Sequence, residues 1–435
     1  MRLIKTADWI EPLTAAKKIP DKQNFVLLYS GLDHGFSGQF SILALNKKRE
    51  IVSADFKEFE TKLSHNNTKF TNAWFGYLGY GLKNCLEKLP HDLPSIIDMP
   101  NLFMAQYSVI LQFDHRAKKV EFWGTEDSEI ENILLLLSQK EQTDNQGEHW
   151  EVKNLTSNMS KVEYLEKVGV IKKHICNGDV YQANLTRKFY GNLQGYNNSF
   201  DIFVRLAGIS PSPYSVFLRW GENSIISSSP ERFLFIDEKG NVDTRPIKGS
   251  APRFEDKKRD EKSKIALENS EKDKAENLMI VDLSRNDLSR NCVLGSVKTD
   301  NLYKVTSYST VHHMASTIKG KKLPSASSLD VVKGCFPPGS MTGAPKIKAI
   351  QICSDLEKLS RSIYSGGIGW FGGDGSIDLS VVIRTIIISG DKFEFQVGGA
   401  ITNDSNAENE WEETMIKAKA IAKTLNIKMS KLESF

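Results

Sequence analysis

Four acidic residues, arranged in two pairs, are the first feature of this sequence that could carry chemistry. Asp273 and Glu276 lie three residues apart before the apolar run LMIVDL, and Glu410 and Glu413 have the same spacing in NAENEWEETMIKAKAIAKTL. Residues three apart share one face of a helix. Two helices that each present a pair of carboxylates would suit Mg²⁺, which prefers oxygen ligands. On spacing alone, two solvated helix faces are the more common explanation.

A lysine and two histidines are further candidates. Lys248 lies between Pro246 and Gly249 in RPIKGSAPR, where an ordinary exposed lysine in a turn is the simpler interpretation. His312 and His313 are adjacent in a strand-like segment, so their side chains point to opposite faces and at most one can address a given site. Composition and spacing alone indicate no more than a candidate magnesium enzyme.

Two glycine-rich segments resemble nucleotide-binding motifs without fitting them. GIGWFG at 367–372 satisfies GxGxxG, but a turn and a strand follow it, so no helix N-terminus is available for a pyrophosphate. GSMTGAPK at 339–346 has its glycines four apart where a P-loop needs five. Because this second segment precedes a helical pattern, its backbone N–H groups can still bind an anion such as a carboxylate.

The composition limits the class of protein. The 435 residues are 40% hydrophobic and 26% charged, with 57 Lys and Arg against 54 Asp and Glu, which excludes intrinsic disorder and gives no support for nucleic-acid binding. Five scattered cysteines without a CxxC pair favour reduced thiols in the cytosol. No apolar run approaches the roughly 20 residues needed to cross a bilayer, and the N-terminus has no secretory pattern. We therefore expect a soluble cytoplasmic protein.

A polar stretch divides the chain into two predicted regions. Residues 1–137 carry strand-like patterns with some helical pieces, whereas strands alternate with helices further on. The segment 138–160 between them is rich in polar residues, which is typical of a connection. We place the boundary so that the two regions are 1–150 and 151–435.

Local patterns predict several elements of the second region. Ser160 and Glu163 form a capping-box pattern that begins a helix, and Gly178 ends it. A charged stretch predicts one long helix over about 256–285. The last strands are separated by short turns, which favours antiparallel pairing. They are predicted over about 363–371, 376–388 and 392–399.

Eight collinear segments carry a resemblance to a known family. They are GDVYQANLTRKF (178–189), SSSPERFL (227–234), TRPIKGSAPR (244–253), EKDKAENLMIVDLSRND (271–287), VHHMAS (311–316), CFPPGSMTGAPKIKAI (335–350), YSGGIGWFGGDGSIDLSVVIRT (364–385) and VGGAITNDSNAENEWEETMIKA (397–418). In order, they closely resemble motifs of the chorismate-utilising enzymes, which include anthranilate, aminodeoxychorismate, isochorismate and salicylate synthases. The first 150 residues resemble the family's N-terminal region more loosely, through LLYSG (27–31) and WFGYLGYG (74–81).

The resemblance implies a fold and a branch of the family. The fold is α+β, with two large antiparallel β-sheets packed face to face, helices outside and both regions sharing one core. Where isochorismate and salicylate synthases carry a water-activating lysine, this chain has Gln182, a neutral amide that cannot act as a base. Anthranilate synthases share the glutamine but have a small residue in place of Lys248. The lysine therefore implies the aminodeoxychorismate synthase branch; anthranilate synthase activity and a non-catalytic binding subunit are the alternatives.

The resemblance also implies a role for each site residue. Lys248 would attack chorismate as an amine, and Glu231 would supply the proton for the leaving hydroxyl. The Mg²⁺-binding set would be Glu276 and Glu413, with Asp273 and Glu410 binding through water or behind them. The substrate-binding set would be Gln182, His313, Thr342, Gly343, Tyr364, Arg384, Gly398, Gly399 and Ala400.

Partners follow from the same resemblance. No cysteine stands in a GxCxG pattern, so the chain would take ammonia directly or from a separate glutamine amidotransferase subunit. No lyase region is recognisable, so release of 4-aminobenzoate would need another enzyme. Ser30, Pro213 and Tyr214 match elements of a tryptophan pocket that family members often carry, although packing of the two regions explains them equally well. Neither nucleic acid nor a membrane is an expected partner.

Overall fold

Strands and helices alternate along the part of the chain that the computed structural model describes, namely residues 1–32, 38–63, 68–89, 93–139, 150–196, 198–308 and 311–435. The strands of these ranges are β1 (Arg2–Asp8), β2 (Phe25–Tyr29), β3 (Phe40–Ser53), β4 (Trp74–Leu78), β5 (Leu102–Asp114), β6 (Lys119–Gly124), β7 (Glu151–Ser157), β8 (Gln182–Gln194), β9 (Tyr214–Trp220), β10 (Asn223–Ser229), β11 (Arg232–Ile236), β12 (Asn241–Thr244), β13 (Ile247–Pro252), β14 (Lys298–Ser307), β15 (Val311–Lys321), β16 (Gly343–Ala344), β17 (Gly367–Phe371), β18 (Ile377–Val381), β19 (Thr385–Ser389) and β20 (Lys392–Ile401).

The helices pack outside these strands, and two short 3₁₀ turns cover Tyr80–Cys85 and Gly339–Met341. The α-helices are α1 (Pro12–Lys17), α2 (Lys57–Lys62), α3 (Asp127–Ser138), α4 (Lys161–Cys176), α5 (Ser199–Ile209), α6 (Lys257–Glu268), α7 (Glu271–Ser289), α8 (Ser328–Cys335), α9 (Lys346–Glu357), α10 (Ala407–Thr424) and α11 (Met429–Glu433). In the described ranges, none is long and apolar enough to cross a membrane.

The strands form two antiparallel sheets. The first sheet runs in the order β1-β6-β5-β3-β2-β9-β10-β19-β20-β8-β7, and the second in the order β5-β4-β17-β18-β11-β12-β15-β14. β13 pairs with β15 on the same edge as β12, and the short β16 pairs with the start of β8. The long strands β3 and β5 pair over their whole lengths, with β5 bonded to β4 through 102–105 and to β6 through 109–114. The two sheets are therefore joined along β3 and β5 into one hydrogen-bonded network.

Side chains that alternate along the strands fill separate cores. Val26 and Leu218 of the first sheet point inward and share a core with Trp370 of the second sheet. Leu27, next to Val26, belongs instead to the core under α4, α5 and α10. Helices α2, α7 and α8 cover the outer face of the second sheet in the same way. The predicted α+β fold, with two face-to-face sheets and flanking helices, is confirmed.

Strands from both predicted regions share the sheets. β2 pairs with β9 in the first sheet, and β4 pairs with β17 in the second. Residues 140–149, beside the boundary, lie outside the described ranges. The division into 1–150 and 151–435 stays a prediction.

The helix predicted over 256–285 is two helices, so that prediction was wrong in part. The Asp256 side chain accepts the N–H of Arg259 at 2.8 Å and begins α6. The Ser270 hydroxyl accepts the N–H of Asp273 at 3.3 Å and begins α7. Because a second N-cap follows the first helix directly, Asp273 and Glu276 lie in the first two turns of a new helix.

The strand predicted over 376–388 is also divided. β18 pairs with β17 and β11 of the second sheet, whereas β19 pairs with β10 and β20 of the first. The chain crosses from one sheet to the other at residues 382–384, where Arg384 has φ +50°. Arg384 therefore lies at the crossover and not within a continuous strand.

The predicted beginning of α4 is confirmed. Ser160 Oγ accepts the N–H of Glu163 at 3.3 Å, and Glu163 Oε2 accepts the N–H of Ser160 at 2.9 Å. The helix ends at Cys176, and Gly178 has φ +78°, a conformation that glycine adopts without strain. Both ends follow from local sequence alone.

Candidate active site

A bulge in β13 determines where Lys248 points. The pairing of β13 with β15 slips between Ile247 and Ser250, and Gly249 in this interval has φ +88°. A bulge breaks the strict alternation of a strand and re-aims a side chain. The Lys248 Nζ donates to the backbone carbonyl of Ser340 at 3.3 Å.

The surroundings of Lys248 favour its neutral form. Burial lowers the pKa of Lys248, and the charge of Lys417 acts in the same direction. The charges of Glu276, Glu231 and Glu413 oppose this shift without reversing it. A lowered pKa increases the fraction of neutral amine, which is the nucleophilic form.

Glu231 lies immediately before β11 and is 5% exposed. Burial raises the pKa of Glu231 to about 7, against the opposing influence of the Ser340 hydroxyl, the charge of Lys248 and the N–H of Ile247. A carboxyl group that titrates near neutral pH can both give and take a proton during a reaction.

Three carboxylates converge from α7 and α10. The Nζ of Lys272 lies 3.9 Å from Glu276 Oε1 and 3.8 Å from Glu410 Oε1, so this lysine spans the two helices. Burial raises the pKa of Glu276 and of Glu410, and the charge of Glu413 raises both further. Burial acts in the same way on Glu413, but Lys417, 2.6 Å away, outweighs it and lowers the pKa.

The carboxylates fit a hard cation. In the described part of the chain, no three His, Cys, Asp or Glu side chains form a ready-made metal site. However, Glu410 is buried and its Oε2 atom has no hydrogen-bond partner there. A Cβ on Gly399 would lie 3.0 Å from that oxygen and 3.8 Å from Glu413 Oε1, so the glycine keeps this space open. Because a buried carboxylate oxygen needs a proton or a cation, the set suits Mg²⁺.

Asp273 lies against the backbone that carries Lys248. A Cβ on Gly249 would be 2.9 Å from Asp273 Oδ1, so only glycine fits at the bulge. The structure thus brings Asp273 and Lys248 to neighbouring positions, although they are 25 residues apart in the sequence.

The loop at 339–346 meets the start of β8. Gly343 has φ +140°, and a Cβ there would lie 2.2 Å from the carbonyl oxygen of Gln182, so this position requires glycine. Gln182 is fully buried, and neither side-chain amide atom has a hydrogen-bond partner among the described residues. The Thr342 hydroxyl donates to the carbonyl of Gly339 at 3.2 Å and is thus turned toward its own loop. The side-chain amide of Gln182 is therefore available to form hydrogen bonds with a ligand at this place.

A second group surrounds the crossover between the sheets. His313 Nδ1 lies 2.7 Å from Ser250 Oγ. Burial, and then the charge of Arg384, lowers the pKa of His313 to about 3, so its ring is neutral at neutral pH. Burial also lowers the pKa of Arg384. Tyr364 is buried near Glu231, and burial raises the pKa of its hydroxyl.

The backbone of β20 is open along one edge at 398–400. β20 pairs with β8 over its whole length but with β19 only through 392–395, and no other described strand covers the rest of that edge. Successive N–H groups of a strand point to opposite edges. At most two of Gly398, Gly399 and Ala400 can therefore offer an N–H group to a ligand on the open edge.

Ser30, Pro213 and Tyr214 come together at a cavity of about 710 Å³ between the two sheets. Ser30 Oγ donates to the carbonyl of Phe40 at 2.8 Å and lies 3.1 Å from the carbonyl oxygen of Pro213. The cavity is also lined by charged residues that the sequence analysis did not single out: Lys69, Arg116, Arg232, Asp243, Arg245, Lys319 and Asp378.

Sequence reasoning missed a buried ion pair that supports the site. Arg361 Nη2 lies 2.6 Å from Glu357 Oε1 and also donates to the carbonyl of Asn184 at 2.7 Å. Arg361 Nη1 donates to the carbonyl of Met341 at 2.7 Å. The pair therefore ties the end of α9, strand β8 and the loop at 339–346 together. Its i,i+4 spacing was visible in the sequence, but its burial was not.

Comparison with known proteins identifies the family. The family model described as chorismate binding enzyme matches residues 22–423. The chain belongs to this family. Over 397 residues it is 36% identical to aminodeoxychorismate synthase component 1 of Escherichia coli (strain K12). These aligned residues cover 89% of this chain and 86% of the E. coli protein.

Other members of the chorismate binding family are similar at lower identity. Anthranilate synthase component 1 of Aquifex aeolicus (strain VF5) is 31% identical over 398 residues, which cover 88% of this chain and 79% of that one. The crystal structure of anthranilate synthase component I from Streptococcus pneumoniae TIGR4 aligns with a TM-score of 0.80 at 27% identity, over 89% of this chain and 93% of that chain. The family resemblance drawn from the eight motifs is confirmed.

Proposed function

We propose that the protein is component I of an aminodeoxychorismate synthase, which converts chorismate and ammonia into 4-amino-4-deoxychorismate and water. The observation that carries the proposal is the partly desolvated amine of Lys248, held 3.3 Å from the Ser340 carbonyl and close to the charges of Glu276 and Glu231. The E. coli relative, which bears that name, supports the same activity.

In the first step, the neutral Lys248 amine attacks C2 of the chorismate ring. A C2–N bond forms, the ring double bonds shift, and the C4–O bond breaks. Glu231 gives its proton to the departing hydroxyl, which leaves as water. The new ammonium group on Lys248 then returns one proton to the Glu231 carboxylate, so the acid is restored.

In the second step, ammonia attacks C4 and the double bonds shift back. The C2–N bond to Lys248 breaks, and Glu231 protonates the departing lysine nitrogen. The ammonium group at C4 then gives a proton to Glu231. Over both steps chorismate loses one hydroxyl group and gains one amino group, and Lys248 and Glu231 return to their starting forms.

The other site residues bind and orient the substrate in this proposal. Glu276 and Glu413 would hold Mg²⁺, with Asp273 and Glu410 binding through water or behind them, and the ion would supply positive charge for the ring carboxylate. Arg384 offers a bidentate fork to the enolpyruvyl carboxylate. The remaining contacts come from Gln182, His313, Thr342, Gly343, Tyr364 and the backbone at Gly398, Gly399 and Ala400.

We further infer that ammonia comes from a separate glutamine amidotransferase subunit. The name "component 1" of the E. coli relative supports a partner, and the sequence has no GxCxG pattern of its own. The five cysteines are scattered along the sequence without a CxxC pair, which supports a reducing cytoplasmic location.

Anthranilate synthase component I is the second candidate. The Aquifex aeolicus relative and the Streptococcus pneumoniae structure favour it. Lys248 argues against anthranilate synthase activity, because a lysine at this position is a feature in which the chain resembles the aminodeoxychorismate synthase branch. A non-catalytic binding subunit is disfavoured because Lys248, Glu231 and the carboxylates of both helices are all present in one place.

The product decides among these functions. The purified chain is incubated with chorismate, MgCl₂ and ammonium, and the product is identified by mass spectrometry with and without an added aminodeoxychorismate lyase. We expect 4-amino-4-deoxychorismate, which the lyase converts into 4-aminobenzoate. Anthranilate would establish the second candidate, and unchanged chorismate would indicate a binding subunit.

A further inference from the structure

We propose that Ser405 is a positioning residue for the carboxylate of Glu410, because its hydroxyl holds one carboxylate oxygen and thereby directs the other toward the space for Mg²⁺. The inference rests on the proposed function for the role of Glu410 as a member of the Mg²⁺-binding set. Ser405 itself would contact neither the substrate nor the ion.

The two oxygens of the Glu410 carboxylate have different surroundings. Ser405 Oγ donates to Glu410 Oε1 at 2.7 Å, and Lys272 Nζ lies 3.8 Å from the same oxygen. Glu410 is only 2% exposed, yet its Oε2 atom has no hydrogen-bond partner in the part of the chain that the structure describes. The carboxylate is therefore held by one oxygen and has its other, buried oxygen available for a ligand.

Glu410 Oε2 borders a small space beside Gly399. A Cβ on Gly399 would lie 3.0 Å from this oxygen and 3.8 Å from both Glu413 Oε1 and the Tyr164 hydroxyl. The Tyr164 hydroxyl is also buried and has no hydrogen-bond partner among the described residues. Polar atoms thus surround the space, and two of them are unpartnered. Such a space suits a hydrated Mg²⁺, because this ion usually keeps several of its water molecules in a protein site.

Hydrogen bonds to its backbone and side chain fix Ser405 in place. Its hydroxyl oxygen accepts the N–H of Thr402 at 3.0 Å, and its own N–H donates to the carbonyl of Thr402 at 3.2 Å. Its carbonyl accepts Lys172 Nζ of α4 at 2.7 Å. Ser405 is 1% exposed, so water competes little for these contacts. The serine therefore offers its hydroxyl hydrogen to Glu410 in one orientation, as a partner that orients a metal ligand must.

Three variants separate the hydroxyl of Ser405 from the shape of the side chain. Ser405→Ala removes the hydroxyl, whereas Ser405→Thr keeps it. Ser405→Val has the shape of the threonine variant without its hydroxyl. The threonine and valine pair therefore controls for the methyl groups that both variants add at this buried position.

Ser108→Ala is the matched control outside the site. Ser108 is also 1% exposed, and its hydroxyl donates to Glu129 Oε1 at 2.9 Å. Glu129 Oε2, like Glu410 Oε2, is buried without a hydrogen-bond partner in the described ranges. The control thus removes the same kind of hydrogen bond from a carboxylate that has no place in the proposed metal site.

The measurement is the shift of the melting temperature of the full chain with MgCl₂ concentration, which reports the affinity for Mg²⁺ and needs no turnover. We expect Ser405→Ala and Ser405→Val to bind Mg²⁺ about tenfold more weakly than the wild type, since the loss of a partner that orients a metal ligand typically costs at least this much. Ser405→Thr and Ser108→Ala should bind Mg²⁺ like the wild type, whatever their melting temperatures without the ion.

Equal Mg²⁺ affinity in the wild type, Ser405→Ala and Ser405→Val would overturn the proposal. So would equal losses in the threonine and valine variants, which would reflect packing, or the same loss in Ser108→Ala, which would reflect general destabilisation. A wild type that binds no Mg²⁺ would overturn it as well. If Mg²⁺ binding depends on the Ser405 hydroxyl but the wild type makes no 4-amino-4-deoxychorismate, the role of Ser405 stands and the proposed function fails.

Discussion

At the scale of single residues, the site contains acidic and basic groups whose burial disfavours their charged forms. Burial raises the pKa of Glu231 and lowers that of Lys248, which moves both toward the neutral forms. An acid that holds its proton and an amine that has lost one are the forms that the proposed first step uses. Such groups stabilise the folded chain less than ordinary core residues would.

The cost of burying Glu231 predicts a dependence of stability on pH. The pKa is about 7 in the folded chain against an ordinary value of 4.5, so between these values the folded chain binds more protons than the unfolded chain. Stability therefore falls as pH rises from about 4.5 to about 7. Glu231→Gln lacks this carboxyl group and should exceed the wild type in unfolding free energy by about 3 kcal/mol at high pH.

Urea unfolding at a pH below 4.5 and at a pH well above 7 measures this difference. The gap in unfolding free energy between Glu231→Gln and the wild type should close at the lower pH. The wild-type carboxyl group is then neutral in both the folded and the unfolded chain. Glu222→Gln, which changes an exposed glutamate, controls for the loss of one charge. A gap that is the same at both pH values would mean that burial does not raise the pKa of Glu231.

At the scale of elements, structure that depends on a few consecutive residues could be predicted from the sequence. Structure that depends on pairing between distant strands could not. The capping box of Ser160 and Glu163 needs only four consecutive residues, and the sequence predicts it correctly. The division of 376–388 depends on β18 and β19 joining different sheets, which no local pattern encodes. The family resemblance predicted Arg384 as a site residue. Its position where the chain crosses between the sheets could not be predicted.

The helices α7 and α10 and strand β20 make a specific prediction about the metal. Gly399→Ala would place a Cβ 3.0 Å from Glu410 Oε2 and narrow the space between the carboxylates. We expect Mg²⁺ binding to weaken by roughly tenfold, since even small displacements disturb the ligand geometry of this ion. The measurement is the shift of the melting temperature with Mg²⁺ concentration, which needs no activity.

Gly208→Ala on α5 is the matched control for this prediction. A Cβ at position 208 would have no atom within 4 Å. The same change in a helix should raise stability by about 0.5–1 kcal/mol and leave the response to Mg²⁺ unchanged. A normal Mg²⁺ response in Gly399→Ala would show that the ion does not occupy the space beside Glu410.

At the scale of the whole molecule, the site exists because distant segments are brought together by the two sheets. Lys248, Glu276 and Glu413 come from a strand of the second sheet and from helices on both sheets. The family motifs predict these residues because the resemblance spans the whole site. Arg361 was missed because its role follows from burial and contact, which residue type and spacing do not reveal.

The cavity between the sheets gives a prediction at this scale. Its volume of about 710 Å³ and its lining by Ser30, Pro213 and Tyr214 leave room for tryptophan, the ligand that the family resemblance predicts for these residues. We expect tryptophan to bind with a heat measurable by calorimetry. Tyr214→Ala should weaken binding at least tenfold, since aromatic contacts contribute strongly to recognition, whereas Leu294→Ala at a fully exposed site should not. Absence of binding to the wild type would favour the packing explanation.

The most direct test of the central claim is a search for a covalent bond between chorismate and Lys248. The protein is mixed with chorismate and Mg²⁺ without ammonia, quenched with acid, digested and examined by mass spectrometry. We predict a peptide that carries chorismate less one water on Lys248, and its loss together with most activity in Lys248→Ala. Full turnover by Lys248→Ala, with no adduct on the wild type, would contradict the account.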